Sequence, residues 1–167
     1  MRAAPSRFVA DAMLGSLSRK LRAFGLDTAY YREGGDDGII DLARDERRVI
    51  LTSDGELFSR ATSRGLRAIL VQGSTDGRRI RSLLNSAKAC GVAVNRGAPL
   101  CSVCNGALAI IPRRQAASGV PASVIRRHRL FFRCRSCGKY YWKGGHWKKL
   151  SNLERGFGQR VAQAGGG

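Results

Sequence analysis

Four short apolar runs, RFVA from residue 7, TAYY from 28, VILT from 49 and AILV from 68, recur at near-equal intervals, and the residues between them change hydrophobic period. Leu14, Leu17, Leu21 and Phe24 share one helical face that Gly25 ends. Ile39, Ile40, Leu42 and Ala43, then Leu57, Phe58 and Ala61, then Ile80, Leu83, Leu84 and Ala87 supply the apolar residues of three further helices. The pattern predicts βαβαβαβα. Strands separated by helices of this length pair in parallel through right-handed crossovers, so the expected fold class is α/β, a parallel sheet flanked by helices on both faces.

That topology gives several carboxylates one address. Ligands of open parallel sheets bind beyond the carboxyl ends of the strands. Asp11 follows the first run, Asp36 and Asp37 lie after the second, and Asp54 lies two residues past the third. Acids gathered at one edge repel one another unless cations sit between them, and hard oxygen ligands suit Mg²⁺ or Mn²⁺, which hold a phosphodiester and activate water. Each acid also has a local reading. Asp36 sits where a helix N-cap belongs, and Ser53 with Glu56 three residues on forms a capping box.

Charge narrows the partner. The 167 residues carry a net charge of +18. Residues 1 to 56 hold 9 Lys/Arg against 10 Asp/Glu, whereas residues 57 to 153 hold 19 Lys/Arg and one acid, Asp76. Clustered cations gain affinity by displacing counterions from phosphates, so a polyanion is the expected partner, with an anionic membrane surface as the rival. No run reaches the roughly 18 apolar residues of a spanning helix, and MRAAPSRFVADAML lacks an apolar signal core. The expectation is a soluble cytoplasmic protein, with no membrane partner.

CSVC (101–104) and CRSC (134–137) form the second organised region. Paired CxxC turns each grip one edge of a tetrahedral ion, so Cys101, Cys104, Cys134 and Cys137 are the expected ligands of a structural zinc. Disulfides are the alternative in an oxidising compartment. The 29 residues between the pairs imply a hairpin with an extended tip. Cys90 closes a helical stretch, and its expected role is packing.

Around these cysteines the chain interleaves cations with aromatics, as in RRHRLFFRCRSCGKYYWKGGHWKK. Arg and Lys neutralise phosphates while aromatic rings stack on unpaired bases. Phe131, Phe132 and Tyr140 read as the small core of the ribbon. Arg126, Arg127, Arg129, Lys139, Trp142, Lys143, His146, Trp147 and Lys148 read as RNA-binding, with Trp142, His146 and Trp147 on an exposed loop.

FVADAMLGSLSRKLRAFGLDTAYY, DDGIIDLARDERRVILTSDGEL, CSVCNGAL and FFRCRSCGKYYWKGGHW occur in the order found in the Mut-seven C-terminal RNase domain family, which the chain resembles over about residues 7 to 150. The resemblance implies a PIN-like nuclease domain over residues 1–96, a small β-rich zinc ribbon over 97–150 and a disordered tail over 151–167. It implies that Asp11 is the acid closing the first strand and Asp54 the acid of the TxD turn. A further acid opens the preceding helix with Ile at +3 and Ala at +7, a register that Asp36 keeps with Ile39 and Ala43, with Asp37 the second choice. Such nucleases usually carry a fourth acid on an early helix. Residues 14 to 24 contain none, which leaves Asp37 or Asp41 to supply that charge.

The expected activity is therefore metal-dependent endoribonucleolytic hydrolysis of RNA, with Asp11, Asp36, Asp54 and Asp37 as site residues and the basic ribbon as the RNA-binding arm. The resemblance implies 5′-phosphate and 3′-hydroxyl products. The incomplete acid set points to the alternative, a weakly active or inactive RNA- or ribosome-binding protein of the same fold. A zinc-ribbon regulator of transcription is the third class, and it leaves the acidic sheet edge unexplained.

Overall fold

The computed structural model describes residues 6–142. The chain divides into two compact units between Asn105 and Gly106. In the first, β1 (Phe8–Ala10), β2 (Thr28–Tyr30), β3 (Val49–Thr52) and β4 (Ala68–Leu70) form a parallel sheet in the order β2-β1-β3-β4. The expected helices lie between and after them as α1 (Gly15–Ala23), α2 (Gly35–Asp45), α3 (Gly55–Ser63) and α4 (Asp76–Ala89), with a 3-10 turn over Ala12–Leu14. The central strands β1 and β3 are buried along their whole length, which is why both read as unbroken apolar runs rather than alternating ones. Val9 and Ile50 pack with Ile39, Ile40 and Ala43 of α2 and Leu57 and Ala61 of α3. By alternation Phe8, Val49 and Leu51 turn to the other face, and the buried Leu17 and Leu21 of α1 and Leu83 and Ala87 of α4 complete the core.

Helix α1 ends as its composition requires. Gly25 takes a left-handed φ of 78°, and a Cβ there would lie 2.1 Å from the Gly97 carbonyl oxygen.

The amino-terminal edge of this sheet is tied by a polar network. Arg48, buried before β3, donates to both Asp27 (2.7 Å) and Glu46 (2.7 Å), and Arg7 donates to the same two acids. Asn105 Nδ2 also donates to Asp27, at 2.7 Å. Burial alone would raise the Asp27 carboxyl, but hydrogen bonds from Arg48 and Asn105, with the charges of Arg48 and Arg7, outweigh it and hold the group below its ordinary value. The unfolded chain then binds this proton at a higher pH than the native protein does, so the stabilisation is present above the unfolded value of about 3.9 and is lost as pH falls through the folded one. Urea unfolding at a series of acidic pH values should show this fall, and Asp27→Asn should flatten it. An unchanged slope would remove Asp27 from the acid lability of the fold.

The second unit holds an antiparallel sheet, β5 (Leu108–Ile111), β6 (Phe131–Cys134) and β7 (Tyr140–Trp142), in that order. Its long insertion is not the extended tip that the cysteine spacing suggested. Two short helices, α5 (Arg113–Ala116) and α6 (Ala122–Arg127), occupy it, each preceded by a proline at the N-cap. They fold back because Ala116, Val120, Val124 and Ile125 have an apolar surface to cover, made by Ile111, Phe131, Tyr140 and Trp142. Trp142 is accordingly a strand residue in this small core rather than part of an exposed loop. Phe131 and Tyr140 are core residues as expected. Phe132 lies outside the cluster, because alternation along β6 turns it to the opposite face.

Candidate functional site

The parallel sheet delivers its acids to one edge. Asp11 leaves β1 directly, and its carboxylate is fixed by the turn that follows: Oδ1 accepts from Met13 N at 2.8 Å, and Oδ2 accepts the hydroxyl of Thr52, the last residue of β3. Thr52 Oγ1 in turn accepts from Asp54 N at 2.9 Å. One buried threonine thus joins the ends of two neighbouring strands and ties Asp11 to Asp54. Asp11 is only 8% exposed, so its charge is held where water does little to screen it.

Asp54 is the N-cap of α3. Its Oδ1 accepts from Glu56 N (2.7 Å) and Leu57 N (3.4 Å). The cap is therefore one residue later than expected, with Leu57 rather than Glu56 three residues on, so the capping box of Ser53 and Glu56 does not form and the Ser53 hydroxyl donates instead to the Val71 carbonyl at 2.9 Å. Asp36 does not cap α2 either. Gly34 holds the N-cap position in a left-handed conformation, and Asp36 and Asp37 follow in the first turn, where the helix dipole favours negative charge. Both are engaged by α3: Arg60 donates to Asp36 Oδ2 and Asp37 Oδ1, each at 2.8 Å, and Arg64 donates to Asp37 at 2.9 Å. Hydrogen bonding by Arg64, with the Arg60 charge beside it, lowers the Asp37 carboxyl below its ordinary value.

Two contributors at this edge, Thr52 and Arg60, have no local sequence signal, and a third, Asp76, follows the fourth apolar run as the other acids follow theirs. Thr52 reads as one more β-branched strand residue, and Arg60 as a solvated helix cation. Asp76 opens α4 after β4 and accepts from Ser16 (2.6 Å) and Lys20 of α1. Among the described residues the acids do not gather three ligand atoms around one point. The four cysteines do.

The thiols of Cys101, Cys104, Cys134 and Cys137 all lie within 4.8 Å of one another. A tetrahedral zinc with Zn–S bonds of about 2.3 Å requires sulfur separations of roughly 3.8 Å, and four thiolates are a donor set it takes in structural sites. The turns that present them are built alike. Asn105 N donates to the Cys101 carbonyl (2.9 Å) and Gly138 N to the Cys134 carbonyl (3.1 Å). Each donor is left-handed, at φ 67° and 73°, and Asn and Gly are the residues that accept this conformation most easily. The first turn is further held by Arg22 of α1, whose NH1 donates to the Ser102 (3.0 Å) and Val103 (2.9 Å) carbonyls while Nε donates to Thr28 O (2.7 Å). Burial pulls the Arg22 guanidinium below its ordinary value, opposed by the nearby Cys101 and Cys104, and as an arginine it stays charged. A cation there compensates the negative charge of a tetrathiolate site. Cys90 is exposed at the C-cap of α4 and does not pack as expected, because α4 ends there and its buried face stops at Ala87.

Arg126 and Arg127 lie on the last turn of α6, and they, Arg129 and Lys139 are exposed. Lys143, His146, Trp147, Lys148 and the tail lie outside the described residues. No helix among the described residues is long and apolar enough to cross a membrane.

A parallel α/β domain with acids at its strand ends, followed by a β-rich region carrying a four-cysteine centre, defines a nuclease-like domain with a zinc ribbon. The chain belongs to the Mut7-C RNAse domain family, whose profile matches residues 6–153. No curated protein and no solved structure matches the chain.

Proposed function

We propose that this protein is a metal-dependent endoribonuclease acting at the carboxyl edge of its parallel sheet, with its basic ribbon, held by zinc, as the RNA-binding arm. The observation that carries this reading is the Asp11–Thr52–Asp54 linkage, in which the Thr52 hydroxyl fixes the Asp11 carboxylate and accepts the Asp54 amide, with both acids at the edge where open α/β sheets bind ligands. Oxygen donors of this kind suit Mg²⁺ or Mn²⁺: Asp11 and Asp54 would hold such an ion, and Asp36, with Asp37 beside it, would join them on leaving its pair with Arg60. When bound, the cation would offset phosphodiester charge and make water more acidic. Thr52 and the Met13 amide keep Asp11 aimed, the α3 cap does the same for Asp54, and Arg60 holds Asp36 until it joins them.

The Arg60 and Arg64 pairs favour the second reading, an RNA- or ribosome-binding protein of weak or no activity, since they already neutralise Asp36 and Asp37. Purified protein with labelled RNA or DNA, in Mn²⁺ or in EDTA, separates the two. RNA cleavage in Mn²⁺ alone supports the nuclease, RNA retention without cleavage supports the binding protein, and preference for DNA defeats both. Reversing Arg126, Arg127 and Arg129 to Glu should weaken RNA binding and lower its salt slope by roughly 0.7 to 0.9 per lost phosphate contact. An unchanged slope would place the RNA elsewhere.

The ribbon needs its metal, because so small an apolar cluster does not fold a lone domain of this size. Elemental analysis should find about one zinc per chain. Cys134→Ser should lower zinc retention and open residues 106–142 to proteases. Metal-free protein with a protease-resistant ribbon would refute this role.

A further inference from the structure

The ribbon sheet has two faces of different character. Strand register places Ile111, Phe131 and Trp142 opposite one another, and this face is the one that α5 and α6 cover. The next row across the three strands is Ile110, Phe132 and Tyr141, again mutually opposite, and alternation turns it to the other face. None of these three belongs to the ribbon core. Ile110 is 70% exposed, and Phe132 and Tyr141 are half-buried. Two aromatic rings and an isoleucine thus form a row across adjacent strands, spanning roughly 10 Å at the usual strand spacing of about 4.8 Å.

Charge selects what such a row takes. Residues 106–142 contain eight Lys/Arg and no Asp or Glu. On this face the next pair along the hairpin is Cys134 with the exposed Lys139, whereas Arg133 alternates to the covered face and lies over the Tyr140 ring. A second copy of this chain would bring like charge against like, and an apolar protein partner leaves the cations unanswered. A single-stranded nucleic acid answers both features, because its bases stack on flat rings while its phosphates answer the uncompensated cations of the ribbon. We propose that Phe132 and Tyr141, with Ile110 at their side, form a base-stacking platform for unpaired RNA, and that the backbone runs toward Lys139. This rests on the RNA-binding reading above and names the face and the substrate form, an unpaired strand.

The test uses the full-length, zinc-loaded protein and two probes of equal length, an RNA of about ten nucleotides and its abasic counterpart, at one fixed salt concentration. The parent protein should bind the base-bearing strand more tightly, by roughly 5- to 150-fold per stacked base. Phe132→Ala combined with Tyr141→Ala should lose that preference while keeping its affinity for the abasic strand, and Phe132→Tyr should retain it. Ile110→Ser, at an exposed position, should reduce the preference with zinc content and circular dichroism unchanged, which covers the case in which the double variant misfolds. If the parent binds neither strand, the RNA-binding reading itself fails and takes this one with it. If the parent binds both strands equally, or the preference survives the substitutions, RNA binding stands and the platform does not. Loss of self-association in the variants, with RNA preference unchanged, would make the face a contact between copies and overturn the proposal.

Discussion

Asp11→Asn should lower RNA cleavage on the order of 1,000-fold or more, the loss expected when several kcal/mol of charge stabilisation disappear from a hydrolytic site. The substitution changes little else. Asn Oδ1 can still accept from Met13 N, and its amide can face Thr52, although Thr52 Oγ1 already accepts from Asp54 N and its own hydroxyl proton must then turn elsewhere. The stability cost should therefore stay near about 1 kcal/mol. RNA affinity should be unchanged, since the ribbon cations are untouched. Thr52→Val tests the linkage itself: it removes the donor to Asp11 and the acceptor for the Asp54 amide together, and should cut cleavage with only modest loss of fold. Parent-level cleavage by Asp11→Asn, measured under multiple turnover with purified protein, would take Asp11 out of the site and the nuclease reading with it.

Arg22→Met should be the most damaging single change outside the sheet edge. Arg22 is only 4% exposed, and its guanidinium satisfies the carbonyls of Thr28, Ser102 and Val103. Methionine fills much of the space and supplies no donor, so three carbonyl oxygens lose a partner and a buried cation beside Cys101 and Cys104 is gone. Thr28 O is buried and its loss of a partner costs about 1–3 kcal/mol, whereas the Ser102 and Val103 carbonyls lie partly exposed and can turn to water, so the first unit should lose about 1–3 kcal/mol in urea unfolding. Groups that hold a metal's ligands in place typically alter its affinity about 10- to 100-fold, so zinc should also pass more readily to a competing chelator. Arg22→Lys should rescue only in part, because one ammonium cannot reproduce the fork that reaches both Thr28 and the cysteine turn. A variant with unchanged unfolding and unchanged zinc competition would show that Arg22 merely fills space.

The elements of the first unit were legible because each burial problem is solved locally. VILT must be buried on both faces to be uniformly apolar, and the residues after it change to helical period at once. Asp11 and Asp54 were legible for the same reason, since a parallel sheet sends every strand end to one edge. The cap of α3 was misplaced by one residue because Ser53 and Asp54 are both good caps, and the choice fell to the Val71 carbonyl, which binds the Ser53 hydroxyl. Trp142 reads as a loop residue because Lys143, Gly144 and Gly145 follow it in sequence, while its neighbours in space are the apolar side chains of the ribbon core.

The set of groups and their order can be read along the chain: a parallel α/β sheet with acids after its strands, two CxxC turns, and a run of cations without counter-charge. Periodicity and covalent spacing encode these within a few residues of chain. Which of these groups meet depends on the folded core. Thr52 joins Asp11 to Asp54 across 43 residues of sequence. Arg60 reaches back to Asp36, 24 residues earlier, and Arg22 reaches forward to Ser102 and Val103, 80 and 81 residues later. Each of these contacts rests on a hydrogen bond whose partner is chosen by packing, and packing depends on the whole core rather than on any window of the chain.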